Sequence, residues 1–346
     1  MVYRILSMSL ILTSLIFYSS TSLGQAPADQ DAIDAAINAA FDAIPDEDSI
    51  PTHVEVEPIG IEIGERGKIE TMAMNKEGNL LLGVSGYDGN SDRKQFAIKI
   101  VSPKGKVLDT WRLTNLEPRM LHANDDGTIY VGGEGAVAIL SEKGRMIKKV
   151  EFGDLFDGEY KTAHSSGVTA NKDYFFIAFG NGFSLRATED IVRFDRDLSN
   201  PKVIVKQQFG CCSHIDLDCD GDVLLIAENS RHRVNRYTID GELIERWGKR
   251  DRASVEGFAA CCNPVNFDFG PGNVLYTAES GIGRIKKYTA TGDYLGYVGN
   301  VDTTKFDRGS RLAAQSCYIP VEVSADGSQI FVMDVRANFI RVLQAK

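Results

Sequence analysis

The chain has 346 residues, a net charge of −10 and 25% charged residues. That acidity argues against nucleic acid as a partner, because affinity for phosphates rests on Lys and Arg. The length allows one large single-core domain or two ordinary ones.

Met1–Arg4 carries one positive charge, Ile5–Tyr18 is an apolar run broken only by Ser and Thr, and small and polar residues fill Ser19–Ala26. This is the order of a secretory signal peptide. The run is shorter than the roughly 20 residues a membrane span needs, so a cleaved segment over 1–26 is expected rather than a retained anchor. The expected product is exported, periplasmic or extracellular. No Cys follows the run and no second long apolar stretch occurs, so neither a lipid anchor nor a transmembrane segment is expected in the mature protein. In an oxidising compartment the six Cys read first as disulfides.

Residues 27–50 are rich in Ala and Asp, with Ile33, Ile37, Phe41 and Ile44 at helical spacing before Pro45. They read as a short helix and solvated linker, or as plain disorder, since isolated helices of this length are marginal. His53 is placed in the same linker.

Residues 51–346 repeat. Six times an alternating strand enters a polar turn and an apolar strand leaves it: Ile69–Asn79 then Leu80–Val84, Met120–Gly127 then Thr128–Gly132, Gly167–Asp173 then Tyr174–Phe179, His214–Gly221 then Asp222–Glu228, Pro264–Gly272 then Asn273–Glu279, and Pro320–Gly327 then Ser328–Asp334. Third strands follow at Phe96–Val101, Ala136–Leu140, Asp190–Phe194, Arg233–Tyr237, Arg284–Tyr288 and Phe339–Leu343. Fourth strands follow in the first five repeats only, most of them after a Gly turn. Four short strands at a period of roughly 40–50 residues predict an all-β, six-bladed β-propeller, because a lone blade leaves both apolar faces bare and a ring of blades covers them. The sixth repeat stops after its third strand, and Val54–Ile63 is unclaimed. The N-terminal strand is therefore expected to close the ring.

Two stretches carry a family resemblance: Ala227–Tyr237 (AENSRHRVNRY) before Asp240-Gly241, and Ala278–Tyr288 (AESGIGRIKKY) before Thr291-Gly292. A polar turn, Arg followed by an aliphatic residue, and a strand ending in Tyr resemble the NHL repeat of NHL/TolB-like propellers. Gly210-Cys211-Cys212, Trp247–Arg250, Val255–Phe258 and Cys261–Pro264 further resemble exported bacterial NHL proteins with paired Cys-Cys motifs. The resemblance implies a propeller, and that the signature Arg231 and Arg233 pair with strand-end carboxylates. It supplies no reaction.

Counting back from Gly221, Gly272 and Gly327, with one extra residue in the fifth turn, aligns Cys211, Cys261 and Cys317 at the start of the inner strands. The same register places His164 there in the third blade, Glu117 in the second and Lys68 in the first. The next position reads Ile69, Pro118, Ser165, Cys212, Cys262 and Tyr318. Inner strands of a propeller begin at one mouth of the central channel, so these side chains are expected to converge on the axis. Thiolate and imidazole suit soft and borderline metals, with copper and zinc as leading cofactors. The candidate ligands are His164, Cys211, Cys212, His214, Cys261, Cys262 and Cys317, with His214 also readable as a second partner or a core histidine. Three disulfides, or buried unpaired thiols, are the alternatives; Cys219 lies off the ring, in a turn. His122 is off register and His232 is in a turn, so both read as surface residues. Asp216, Asp218, Asp220 and Asp222 read as a strand and its solvated turn rather than a calcium loop.

No Gly-x-Ser-x-Gly element, phosphate loop or His-Glu-x-x-His occurs, and no catalytic residue is assigned. The expected role is an exported binding or scaffold protein, for a protein or small-molecule ligand, with a Cys/His metal or redox site at the channel mouth. A metal-dependent lactonase- or lyase-like enzyme, known on six-bladed propellers, and a pure protein-docking module are the alternatives.

Overall fold

The computed structural model describes residues 50–63, 66–87, 93–180, 188–210, 214–251, 254–259, 263–264, 266–280, 282–301, 318–335 and 337–346. The expectations for residues 1–26 and 27–49 lie outside them.

Alternating and continuous apolar runs build strands that form six four-stranded antiparallel sheets, one per repeat. The chain enters through β1 (His53–Gly60). Blade 1 is β2 (Lys68–Met74), β3 (Leu80–Tyr87), β4 (Lys94–Val101) and β5 (Val107–Leu113). Blade 2 is β6 (Met120–Ala123), β7 (Ile129–Gly132), β8 (Ala136–Leu140) and β9 (Met146–Glu151), and blade 3 is β10 (His164–Ala170), β11 (Tyr174–Gly180), β12 (Thr188–Asp195) and β13 (Lys202–Phe209). Blade 4 is β14 (Leu217–Asp220), β15 (Val223–Glu228), β16 (Arg233–Thr238) and β17 (Leu243–Trp247), and blade 5 is β18 (Asn266–Gly270), β19 (Val274–Glu279), β20 (Arg284–Tyr288) and β21 (Tyr294–Asn300). Blade 6 is β22 (Val321–Val323), β23 (Gln329–Asp334) and β24 (Phe339–Ala345), completed by β1.

Second strands are buried on both faces between neighbouring blades, which is why β11 reads YFFIAFG without alternation. Outer strands such as β5 and β17 are mostly exposed or half-buried. The apolar faces between blades make the core. Leu81, Ile98, Leu121 and Val131 join blades 1 and 2, and Ile330, Val332, Ile285 and Ala278 join blades 6 and 5.

The glycine turns between third and fourth strands key one blade to the next. A Cβ on Gly144 (φ +73°) would fall 2.2 Å from Cγ of Trp111 on the outer strand of blade 1. On Gly292 (φ +95°) it would fall 2.4 Å from Cγ of Trp247 on blade 4, and on Gly241 2.0 Å from the carbonyl oxygen of Ile204 on blade 3. Each turn lies flat against the outer strand before it, so the position tolerates neither a side chain nor a negative φ.

The ring closes as the unfinished sixth repeat predicts. β1 pairs antiparallel with β24 from His53 opposite Ala345 to Gly60 opposite Phe339, with a bulge between Val56 and Ile59. Arg341 on β24 donates to Glu55 of β1 and to Asp334 of β23, each at 2.7 Å. His53 is not a linker residue: it is buried at the start of β1, and its Nε2 donates to the carbonyl of Gly327 at 2.9 Å. Strand pairing, invisible in its polar sequence neighbourhood, draws it in.

Candidate functional site

The inner strands begin at one end of the channel, where four described side chains meet. His164 opens β10 and is buried. The His214 ring stacks on Tyr318, with centroids 4.4 Å apart and planes 14° from parallel. The Tyr318 hydroxyl reaches Thr71 Oγ1 at 3.1 Å and Met120 Sδ at 3.4 Å. Residues from blades 4, 6, 1 and 2 thus meet at one point. Burial pushes the His214 imidazole down to about 3, helped by the positive charges of Arg119, His164 and Lys68. Those last residues belong to blades 2, 3 and 1. Asn229 Nδ2 holds the His214 carbonyl at 2.7 Å.

Cys211, Cys212, Cys261, Cys262 and Cys317 lie outside the described residues. Cys219 is a free thiol in the β14 hairpin, its pKa raised by burial and by Asp218. Among the described residues no group of three or more His, Cys, Asp or Glu is arranged to hold a metal ion.

A carboxylate that the motif reading passed over sits beside the mouth. In blade 4, Glu228 at the end of β15 binds Arg233 and Asn235; in blade 5, Glu279 at the end of β19 binds Arg284 at 2.7 Å and Lys286 at 2.9 Å; in blade 6, Asp334 binds Arg341. The pairings of Arg231 and Arg233 with Glu228 are as the motif implies. Blade 3 reverses the pattern. Gly180 ends β11, and opposite it stands Glu189, in the cross-strand place that Arg233 and Arg284 take against their glutamates. Glu189 is fully buried, and burial alone pushes its carboxyl up to about 8. Ser166 donates to its Oε2, while Oε1 has no hydrogen-bond partner among the described residues. Two glycines make the space. A Cβ on Gly180 would fall 2.6 Å from His164 Nε2, and one on Gly210 would fall 2.8 Å from Glu189 Oε1 and 3.3 Å from the His214 carbonyl oxygen.

Below the Tyr318 ring lies a channel cavity of about 160 Å³. On the side of blades 4 to 6 it meets Asp216, Asp218, Asp268 and Glu322; on the other side it meets Met72, Met74, Met120 and Val168. The carboxylates answer a backbone need. Inner strands are edge strands, and their outward N–H groups want acceptors. Asp216 accepts from Phe267 N at 2.8 Å, Asp268 from Val323 N at 2.7 Å and Glu322 from Met74 N at 2.9 Å, each in the next blade. Asp218 accepts from Thr169 of the blade before, at 3.3 Å. Burial raises all four: Asp216 to about 7, Asp218 to about 6, Asp268 and Glu322 well above the usual range. Asp216 and Asp218 are therefore channel-wall groups, not part of a solvated turn. His122, expected at the surface, also lines the cavity, and burial pushes its imidazole down to about 4.

No protein-family model matches the chain, and no curated protein matches it. Solved structures do. The WD40 domain of Neurospora crassa Pan2 aligns with a TM-score of 0.53 at 12% identity, covering 86% of this chain and 97% of that one. A Bacteroides thetaiotaomicron protein of unknown function aligns with a TM-score of 0.57 at 12% identity, covering 86% of this chain and 73% of that one. A Bacteroides uniformis protein provisionally described as a 6-phosphogluconolactonase aligns at a TM-score of 0.46 and 14% identity, over 80% of this chain and 81% of that one, too distant to carry an argument. At such identities the likeness is one of fold, and the fold is a six-bladed β-propeller.

Proposed function

We propose that the chain is an exported NHL-type binding or scaffold protein whose working site is the channel mouth, where His164, Cys211, Cys212, His214, Cys261, Cys262 and Cys317 hold a copper or zinc ion or form a redox centre. One observation carries this reading: the residue three after Cys211 and the residue one after Cys317 are in ring contact, His214 on Tyr318 at 4.4 Å. His214 precedes the inner strand of blade 4 and Tyr318 that of blade 6, so the contact joins two blades. His164 lies near enough for its charge to act on His214. The chemistry agrees, since imidazole held neutral by burial and thiols are ligands for this class of metal.

Protein exported by a periplasmic expression host tests the reading. Metal analysis should find about one soft or borderline ion per chain, and a bound ion should shield the thiols from alkylation until a chelator removes it. Protein with three intact disulfides and no metal overturns it.

A further inference from the structure

We propose that the rim of blades 1 and 2, on the face away from the channel mouth, is a docking surface for an anionic lipid membrane. The surface uses none of the channel residues.

In each blade the first strand begins at the mouth and successive strands reverse direction, so the turns from third to fourth strand lie on the opposite face. Blade 1 makes this turn over Ser102–Lys106 and blade 2 over Ser141–Arg145, each closed by a Gly N–H on the Ser carbonyl. The two residues after each turn are apolar and stand in solvent. Val107 and Leu108 are 39% and 49% exposed, Met146 and Ile147 39% and 58%. The two tips are neighbours, because the blade 2 turn rests on the outer strand of blade 1, with a Cβ on Gly144 falling 2.2 Å from Trp111 Cγ.

Cations border both tips. Lys104 and Lys106 precede the first pair, Lys143 and Arg145 the second; all four are exposed and make no ion pair among the described residues. The carboxylates beside them are engaged. Asp109 accepts from the Trp111 indole N–H at 2.9 Å and from Thr110 N at 2.7 Å, and Glu142 faces Lys76 at 3.6 Å. Blade 4 shows that the turn alone does not dictate this charge. Its exposed pair, Leu243 and Ile244, is 41% and 48% exposed but sits between Glu242 and Glu245.

Apolar side chains that enter the headgroup layer, bordered by Lys and Arg that meet lipid phosphates, are the two terms of binding to an anionic bilayer. Two blades offer the same tip side by side, which fits a partner whose chemistry is uniform over its area. A lipid surface has that property and a folded protein does not. The net charge of −10 does not prevent approach. The acids of blade 4 lie across the ring from blade 1, and exposed charges are screened beyond about 8 Å at physiological salt.

The test is flotation of the full chain, purified from the soluble fraction of an expression host, with lipid vesicles. Vesicles of phosphatidylcholine with phosphatidylglycerol should carry the protein, and phosphatidylcholine alone should bind it at least ~10-fold more weakly. Added salt should release it. Lys106→Gln with Arg145→Gln should lower affinity for the anionic vesicles by roughly tenfold or more. Leu108→Ser with Ile147→Ser should lower it by about fivefold or more. Leu243→Ser with Ile244→Ser, on the acid-bordered tip, should leave it within about twofold. Every replaced side chain is exposed, and the lipid and salt dependence of the wild-type protein needs no variant. Equal binding to neutral and anionic vesicles, unchanged affinity in the blade 1 and 2 variants, or equal loss in the blade 4 variant overturns the proposal. So does capture by soluble polyglutamate without vesicle binding, the sign of an acidic polypeptide partner.

Discussion

Arg341 joins Glu55 to the last strand of the chain at 2.7 Å, and the same guanidinium holds Asp334 at 2.7 Å. One buried side chain thus fastens the first strand and the last hairpin together. Deleting residues 1–50 should leave a folded protein, whereas deleting through residue 66 strips β24 of its partner and should cause aggregation through the bare edge. Arg341→Ala should cost about 1–3 kcal/mol by removing the charged donor from the buried Asp334 carboxylate, which keeps its bond from Ala337 N. Equal solubility of the two truncations, measured by size-exclusion chromatography, would count against this account of closure.

Glycines with similar backbone angles should respond very differently to a methyl group. Gly78 (φ +76°) has open space where a Cβ would sit, so Gly78→Ala should cost about 1–2 kcal/mol of backbone strain alone. Gly144 (φ +73°) lies on Trp111, so Gly144→Ala adds overpacking and should cost about 3 kcal/mol or more. Urea unfolding of the two variants decides; equal midpoints would mean that the turn does not key blade 2 to blade 1.

The channel carboxylates should make stability fall as pH rises. Both folded and unfolded chains carry these protons below about pH 4. Above it the unfolded chain gives up its protons first, so folding is progressively opposed until the folded groups ionise in turn. For Asp218 that window runs to about 6, and for Asp268 and Glu322 it extends further up. Glu322→Gln keeps an acceptor for Met74 N and removes one charge. It should flatten the profile and stabilise the protein above pH 7. Denaturation midpoints that vary with pH identically in both proteins would refute this.

The double change Cys211→Ser and Cys261→Ser should abolish metal retention while leaving the far-UV circular dichroism and melting behaviour of the blades intact. Retained metal at wild-type stoichiometry would remove those two cysteines from the proposed site.

Most of the architecture was legible because its signals are local. Asn or Ser opens several hairpin turns and Gly closes them, as in the bonds from Gly78 N to Asn75 O and from Gly327 N to Ser324 O, and the count of turns gives the count of blades. The lone unfinished repeat also told where the ring shuts. What escaped depends on the neighbouring blade. Asp216 reads as a polar turn residue until Phe267, 51 positions away, presents its N–H. His53 reads as linker until β24 arrives beside it. Glu189 carried a signal that could have been used: laid against Arg233 and Arg284, it reverses the charge of the signature position, a substitution with no local reason. The cysteines were aligned by the same counting that aligned the turns. Of that alignment the structure shows the neighbours, His164, His214 and Tyr318, drawn to one place.

The channel wall has a consequence for any guest. The backbone repeats six times around the axis, yet its interior chemistry does not: acids occupy the arc of blades 4 to 6, while thioethers and aliphatic groups, with Thr71 and His122, line the arc of blades 1 to 3. A molecule entering the cavity of about 160 Å³ would not be free to spin among six equivalent poses. It would be oriented, proton-donating side toward the acids and hydrocarbon side toward the methionines, by a ring whose symmetry is only skeletal.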